Sequence, residues 1–462
     1  MGYGSVIAAI STPSGKGGVA LIRVSGEGAI EICDKVFLPR SKCSLKEIPA
    51  RTQVYGDILS RGEIIDDGMA TVFRAPASYT GEDTVEISCH GGTLITAKVL
   101  EAVLLCGASP AERGEFTQRA FINGKLSLTD AEAIGNLLEA KSDEQIRLAS
   151  GSAREKLSEA TSDIRSRLTT LLASIFARID YPDEDLGDFT NEETVAYLKD
   201  IKEELLALIA TYPTARAINE GIRTVICGKT NVGKSSLYNA ILGEDAAIVT
   251  DIEGTTRDIL STQITLGKVM LKLSDTAGVR NSSKADTVEK IGIERSLSAM
   301  ESAELIIAVF DGSRAIDAND EELIEHIEKA SAAKIAVVNK SDLAKLLEKE
   351  RLSAFDSVIE ISAKSEPTKA RVAVTENINR LFINERLRTG EDAIVMSARQ
   401  NTALISCLEY VEAATSALMR GEFTDAAASE IELALAKLSE LDGRAVAEDV
   451  LTEIFSKFCV GK

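Results

Sequence analysis

The sequence predicts a multidomain α/β-plus-α protein. It has an N-terminal α/β domain, a helical domain split in sequence, and a doubly wound α/β nucleotide domain inserted between the two helical parts. Three observations carry that expectation. Strand and helix patterns alternate through residues 216–378, as a doubly wound sheet requires. Helical periods flank that region on both sides, with no proline between Pro110 and Pro182 to interrupt the first of them. The inserted part opens with an apolar strand (Thr224–Cys227), a Gly-rich loop (Gly228–Ser235) and a helical pattern (Ser236–Leu242), in that order.

Composition bounds the rest. A chain of 462 residues has length for about three domains. Hydrophobic content of 45% with 4% aromatic residues and no Trp describes a soluble, aliphatic, helix-rich globular protein. No apolar run reaches the ~18 residues that span a bilayer, so integral membrane association is not expected. The N-terminus reads as neither signal nor transit peptide, and Val6 stands where a myristoylation site needs Ser or Thr. Seven scattered cysteines without a Cys-x-x-Cys point to a reducing, cytoplasmic setting. Two histidines, His90 and His326, argue against a zinc site. A net charge of −20 makes the chain a poor non-specific nucleic-acid binder, so RNA contact would need a local basic patch or a basic partner.

Residues 1–118 read as mixed α/β. Ser5–Ile10 and Val19–Val24 are strand-like, Ala29–Val36 is helical, and short strands follow near Gln53–Leu59 and Met69–Arg74. Strand Thr84–Ser88 runs into Cys89–His90–Gly91–Gly92, and Thr93–Leu105 is helical. The loop Gly15–Gly18 resembles a phosphate loop without its Gly-Lys-Ser ending, and is better read as a turn. His90 at a strand end could be catalytic, although a satisfied structural histidine is the commoner case. Residues 119–215 are the first helical part. Leu157, Ala160, Ile164, Leu168, Leu171, Ile175 and Ile179 form one stripe, and Glu193–Ala210 is a further amphipathic helix. Arg147, Arg154, Lys156, Arg165, Arg167 and Arg178 read as a solvated face rather than an RNA track. Residues 379–462 return to helical period and end in Phe458–Cys459–Val460–Gly461–Lys462.

The nucleotide site is read from spacing. Backbone N–H groups of Gly228–Ser235 suit a β-phosphate, Lys234 reaches the β- and γ-phosphates, and the Ser235 hydroxyl suits Mg²⁺. Asp251–Asp258 supplies a switch threonine, Thr256, a second Mg²⁺ ligand. Strand Met270–Ser274 delivers Asp275–Thr276–Ala277–Gly278, in which Asp275 stands behind the Mg²⁺ and Gly278 offers an N–H to the γ-phosphate. Strand Lys334–Val338 delivers Asn339–Lys340–Ser341–Asp342, and Ile359–Ile361 delivers Ser362–Ala363–Lys364. The Asp342 carboxylate can accept from the N1–H and amine of guanine, which adenine does not offer. Lys340 lies along the base and the Ala363 backbone meets the guanine carbonyl, so the nucleotide is GTP. Val232, Gly233 and Ser236 complete the set expected at the loop. A water-orienting Gln after the Asp-x-x-Gly is missing, because that position is Val279. A monovalent cation beside Asn231 could neutralise the developing charge, and Asp286 and Glu289 are both candidates to orient the water.

On these motifs the chain resembles the MnmE (TrmE) family of tRNA-modification GTPases over nearly its whole length. The carriers are Gly15–Gly18 with Leu21–Val24, Tyr79–Glu86 with His90–Gly92, Arg113–Phe121, Leu128–Ile134, Val288–Arg295, the nucleotide motifs and the C-terminal Phe-Cys-Val-Gly-Lys. Lys16 stands where Arg is common and Val460 where Ile is. The resemblance implies an N-terminal tetrahydrofolate-binding and dimerisation domain, a discontinuous helical domain and an inserted Ras-like GTPase domain. It implies K⁺ held by Asn231, Thr250, Ile252 and Thr255, Glu289 orienting the water, and folate contacts from Arg23, Glu86, Lys125 and Lys462. It also implies a modification role for Cys459.

The function so implied joins a homodimer to a flavin-dependent, FAD-carrying partner of the MnmG type. Together they would place an aminomethyl or carboxymethylaminomethyl group on C5 of the wobble uridine of certain tRNAs, with 5,10-methylene-tetrahydrofolate as the one-carbon donor. The competing reading is a ribosome-assembly or signalling GTPase without modification chemistry. The absence of a basic RNA-binding appendage weighs against it.

Overall fold

The structure is a computed structural model that describes residues 4–180, 190–243, 261–274, 299–420, 424–441, 443 and 448–462. The chain forms two compact units. One gathers Met1–Leu138, Leu168–Leu186 and Glu409–Lys462, the other Glu139–Arg167 and Gly187–Leu408.

The first unit is built on a seven-stranded sheet of β1 (Ile7–Ile10), β2 (Val19–Ser25), β3 (Phe37–Pro39), β4 (Gln53–Ser60), β5 (Glu63–Phe73), β6 (Thr84–His90) and β7 (Ser109–Pro110). Their order is β3-β4-β5-β6-β2-β1-β7. The pairings are antiparallel except β1 with β7. Alternation sorts the side chains. Ile22, Val24, Val85, Ile87, Ala70 and Val72 bury one face, beneath the helices Ala29–Val36 and Thr93–Leu105. Each such aliphatic side chain is worth about 1.5–3 kcal/mol on burial. Arg23 and Glu86 stand opposite each other on the other face. Strand β5 begins earlier than the sequence period suggests. The turn Arg61–Gly62, both at positive φ, folds it back on β4 as a hairpin before the acidic pair Asp66–Asp67. Helices Glu115–Ile122, Leu128–Glu139 and Glu448–Ser456 supply a small core of Leu128, Ala131, Phe455 and Phe458.

In the helix Gly151–Asp180 the expected stripe is buried at Leu157, Ile164, Leu168, Leu171 and Ile175, but opens at Ile179. Among the described residues no helix is long and apolar enough to cross a membrane.

The second unit holds helices Asn191–Ile209 and Tyr212–Asn219 and a six-stranded sheet. Thr190 and Glu193 close a capping box on the first helix. Pro213 hides the second helix from a sequence reading, yet it sits in the first turn, where a missing N–H costs nothing. The sheet is β8 (Ile222–Cys227), β9 (Ser261–Leu266), β10 (Val269–Ser274), β11 (Leu305–Asp311), β12 (Ala333–Asn339) and β13 (Ser357–Glu360). They lie in the order β13-β12-β11-β8-β10-β9. All pairings are parallel except β9 with β10. The near-continuous apolar runs of β11 and β12 are what a sheet covered on both faces demands. Strand order reverses beside β8, and a crevice at the carboxyl ends of strands is where such sheets take ligands.

Candidate functional site

The crevice is lined from three strand ends. After β8 the loop Gly228–Ser235 turns into the helix Lys234–Leu242. Gly233 caps that helix at φ 103, and a Cβ there would lie 2.0 Å from Asn339 Nδ2, so no larger residue fits. Asn231 adopts φ 59 and is exposed. Lys234 Nζ donates to the carbonyls of Gly228 at 2.8 Å and Lys229 at 2.6 Å, which holds the cation over the mouth of the loop. Ser235 and Ser236 follow in the first helical turn. A helix N-terminus with an ammonium beside it is an anion cradle, and the Ser235 hydroxyl there has the oxygen chemistry Mg²⁺ takes.

The opposite wall of the crevice comes from β12 and the segment after β13. Asn339, only 3% exposed, donates from Nδ2 to the Val232 carbonyl at 2.8 Å. Its Oδ1 accepts from the N–H of Ala363 at 2.9 Å. Three separate loops are thereby tied at one side chain. Lys340 (φ 64) donates to Asp311 at 2.6 Å. Burial pushes the Asp311 carboxyl up, but the Lys340 ammonium and the Ser313 hydroxyl more than offset it and hold it low. Asp342 is exposed, its carboxyl kept below the usual range first by the Ser362 hydroxyl. Ser362 and Ala363 are buried beside it.

Sequence reasoning missed the outer wall of the loop. Lys229 Nζ donates to Asp317 Oδ1 at 2.6 Å and holds that carboxyl down at about 2. Arg314 forks onto buried Asp320 at 2.8 and 3.1 Å. The signal was present in the capping box Asp317–Asp320 that opens the helix Ala318–Glu328. Thr250, Ile252, Thr255, Thr256, Asp275, Thr276, Ala277, Gly278 and Glu289 lie outside the described residues.

A second cluster lies in the first unit. Arg23 pairs with Glu86 through Nε at 2.9 Å and Nη2 at 2.8 Å. Its guanidinium carbon sits 5.4 Å from the Tyr79 ring centre and 5.7 Å from that of Phe116. The C-terminal tail meets this pair. Gly461 presents its carbonyl to Ser11 Oγ at 2.9 Å and to Arg23 Nη1 at 3.5 Å. Arg113 bridges Val460, and exposed Cys459 accepts at its carbonyl from the Gly114 N–H at 3.4 Å. Half-buried Lys462 follows Gly461. Lys125 stands apart from these contacts. Its Nζ donates to the Pro76 carbonyl at 3.0 Å, and its stem packs on Gly81, two residues from Tyr79. The cluster so offers a carboxylate acceptor, a guanidinium and two aromatic rings, groups that could hold a flat ligand with N–H donors and carboxylates.

The remaining sequence candidates resolve differently. The loop Gly15–Gly18 lies against the strand end, with Gly17 N–H on the Gly91 carbonyl at 2.9 Å. His90 Nδ1 lies 2.7 Å from Asp66 Oδ1, and its backbone N–H donates to Asp66 Oδ2 at 2.9 Å.

A model of the GTP-binding protein TrmE N-terminus matches residues 6–125, and one of the MnmE helical domain matches residues 128–459. Three similar proteins, each named tRNA modification GTPase MnmE, span 99% of this chain and 99% of their own. They come from Carboxydothermus hydrogenoformans at 38% identity, Thermotoga sp. (strain RQ2) at 39% and Clostridioides difficile at 36%. By both family models and by these full-length relatives, the chain belongs to the MnmE family of tRNA modification GTPases.

Proposed function

We propose that the chain is a potassium-stimulated GTP hydrolase of tRNA modification. With a flavin-dependent, FAD-carrying partner of the MnmG type it adds an aminomethyl or carboxymethylaminomethyl group to C5 of the wobble uridine of certain tRNAs. The one-carbon donor is 5,10-methylene-tetrahydrofolate. The observation that carries the reading beyond GTP hydrolysis is the tail. Cys459 is presented two residues from a carbonyl that Ser11 and Arg23 share, beside the Arg23–Glu86 pair.

In this reading the chain has a folate and dimerisation domain at 1–118, helical parts at 119–215 and 379–462, and a GTPase domain at 216–378. Asn231, Val232, Gly233, Lys234, Ser235 and Ser236 hold the phosphates. Thr250, Thr255, Thr256, Asp275, Thr276, Ala277 and Gly278 complete that side. Asn339, Lys340, Asp342, Ser362 and Ala363 read the guanine. Ser235 and Thr256 would hold Mg²⁺, and Asn231, Thr250, Ile252 and Thr255 would hold K⁺. Both ions supply positive charge beside the phosphates. Glu289 orients the attacking water. Arg23, Glu86, Lys125 and Lys462 hold the folate, and Cys459 serves the modification. The protein works as a cytoplasmic homodimer, with no integral membrane association.

The ion dependence is tested by GTP hydrolysis in KCl and NaCl at equal ionic strength and saturating GTP. Hydrolysis several-fold faster in KCl is expected, and equal rates remove the potassium mechanism.

A further inference from the structure

The last residues of the chain are anchored on either side of an exposed pair, whose backbone is itself paired with Arg113 and Gly114. Behind the pair, Phe458 is 4% exposed and packs with Phe455 at a ring separation of 5.8 Å. Ahead of it, Gly461 is buried at φ 97, and a Cβ there would come within 2.4 Å of the Ile10 carbonyl oxygen and 2.9 Å of Ser11 Cα. Only glycine lets the tail press this closely on the end of β1. Between the anchors Cys459 and Val460 are exposed. The forward anchor has two donors, the Ser11 hydroxyl at 2.9 Å and the Arg23 guanidinium at 3.5 Å. The same guanidinium gives its other donors to Glu86. Arg23 therefore divides its hydrogen bonds between the tail and the carboxylate that faces it across β2 and β6.

We propose that Ser11, Arg23 and Gly461 form a clasp that sets the position of Cys459, and that the clasp tightens when a folate occupies the Arg23–Glu86 pair. The second half rests on the folate reading above; the first half does not. A pterin whose N–H donors engage the Glu86 carboxylate competes for the acceptor that now holds Arg23 Nε and Nη2 and relieves its pull on the guanidinium, so that Nη1 closes on the Gly461 carbonyl while Nε and Nη2 face the ligand. Ser11 and Gly461 are positioning residues, since they act on Cys459 through the backbone. Linkage is reciprocal: what folate does to the clasp, loss of the clasp must do to folate affinity, by the same factor.

The test reads the tail directly, without activity. Carboxypeptidase B removes Lys462 only when the tail leaves its seat, so the release rate, followed by intact mass, reports opening of the clasp. Full-length protein, Ser11→Ala and Gly461→Ala are compared with and without 5-formyltetrahydrofolate, whose binding is measured in parallel by calorimetry. Without folate, both variants should release Lys462 at least threefold faster than the native chain. Folate should slow release threefold or more in the native chain and much less in Gly461→Ala. Ser11→Ala should also bind folate two- to fivefold more weakly. Ser11→Ala is conservative enough to fold if Gly461→Ala does not. Native release rates in both variants overturn the clasp. Folate that binds without slowing release, or that slows it equally in the native chain and in Gly461→Ala by shielding Lys462 directly, overturns the linkage. Faster release in both variants with no heat of folate binding supports the clasp and overturns the folate reading together with the linkage.

Discussion

Asn339 reaches across the nucleotide crevice and donates its side-chain amide to the carbonyl of Val232 at 2.8 Å. The same side chain accepts from the Ala363 N–H at 2.9 Å, so the end of β12 also holds the loop Gly228–Ser235 in shape. Asn339→Ala would leave a buried carbonyl and a buried N–H without their partner. A loss of about 1–3 kcal/mol is expected from the unsatisfied groups. GTP and GDP affinity should fall tenfold or more, because the loop is no longer held in its binding shape. Thermal unfolding and titration with a fluorescent GDP measure the two effects. Unchanged affinity would show that the latch does not shape the loop.

Arg119 lies in the segment Arg113–Phe121, but its ion pairs are visible only in the fold. Its side chain is 2% exposed and holds Glu115 at 2.8 Å, Glu82 at 3.2 Å and the Ser5 carbonyl at 3.0 Å. Arg119→Ala would strand two half-buried carboxylates and a carbonyl. A cost of about 3–5 kcal/mol is expected, the range for breaking one partner of a buried ion pair. Arg119→Lys should recover only part, since an ammonium cannot span both carboxylates as a guanidinium does. Denaturant unfolding of the variants reads this, and a loss under ~1 kcal/mol would mean the network is not structural.

The pair His90–Asp66 sets a pH dependence. The Asp66 hydrogen bond and charge raise the His90 pKa above the ordinary 6.5. Burial pushes the Asp66 carboxyl up, but the His90 backbone and ring bonds outweigh it and carry it below the ordinary 3.8. A raised histidine contributes fully below its unfolded value and loses that contribution as pH rises through the folded value. A lowered carboxylate contributes above its unfolded value and loses it as pH falls. The pair therefore acts from about pH 4 to somewhat above pH 6.5. The Tm difference between native protein and His90→Gln should be larger at pH 6 than at pH 9. With two histidines in the chain, an imidazole NMR titration can also be assigned by this one variant.

Much of this was readable in advance, for physical reasons that differ by element. The strands of the nucleotide sheet are short apolar runs, and the chemistry of Gly228–Ser235 and Asn339–Asp342 is local in sequence. What escaped depends on contacts distant in sequence. Ser11 meets Gly461 across 450 positions, and His90 meets Asp66 across 24. No spacing rule joins either pair. The helix Tyr212–Asn219 was missed because Pro213 reads as a breaker until its place in the first turn is seen. Cys459 was found by resemblance; why glycine must stand at 461 became clear only from the backbone it presses on.

The proposed modification of wobble uridines, through a chemistry that needs Cys459, has a direct test. Mass spectrometry of tRNA nucleosides from a strain lacking the gene measures it directly, with complementation by the native gene and by Cys459→Ser. The C5-aminomethyl-type uridine is expected to disappear in the deletion strain and to return with the native gene. With Cys459→Ser it should stay absent, although the purified variant hydrolyses GTP at the native rate. A normal level of that nucleoside in the deletion strain, or its full return with Cys459→Ser, would contradict the proposal.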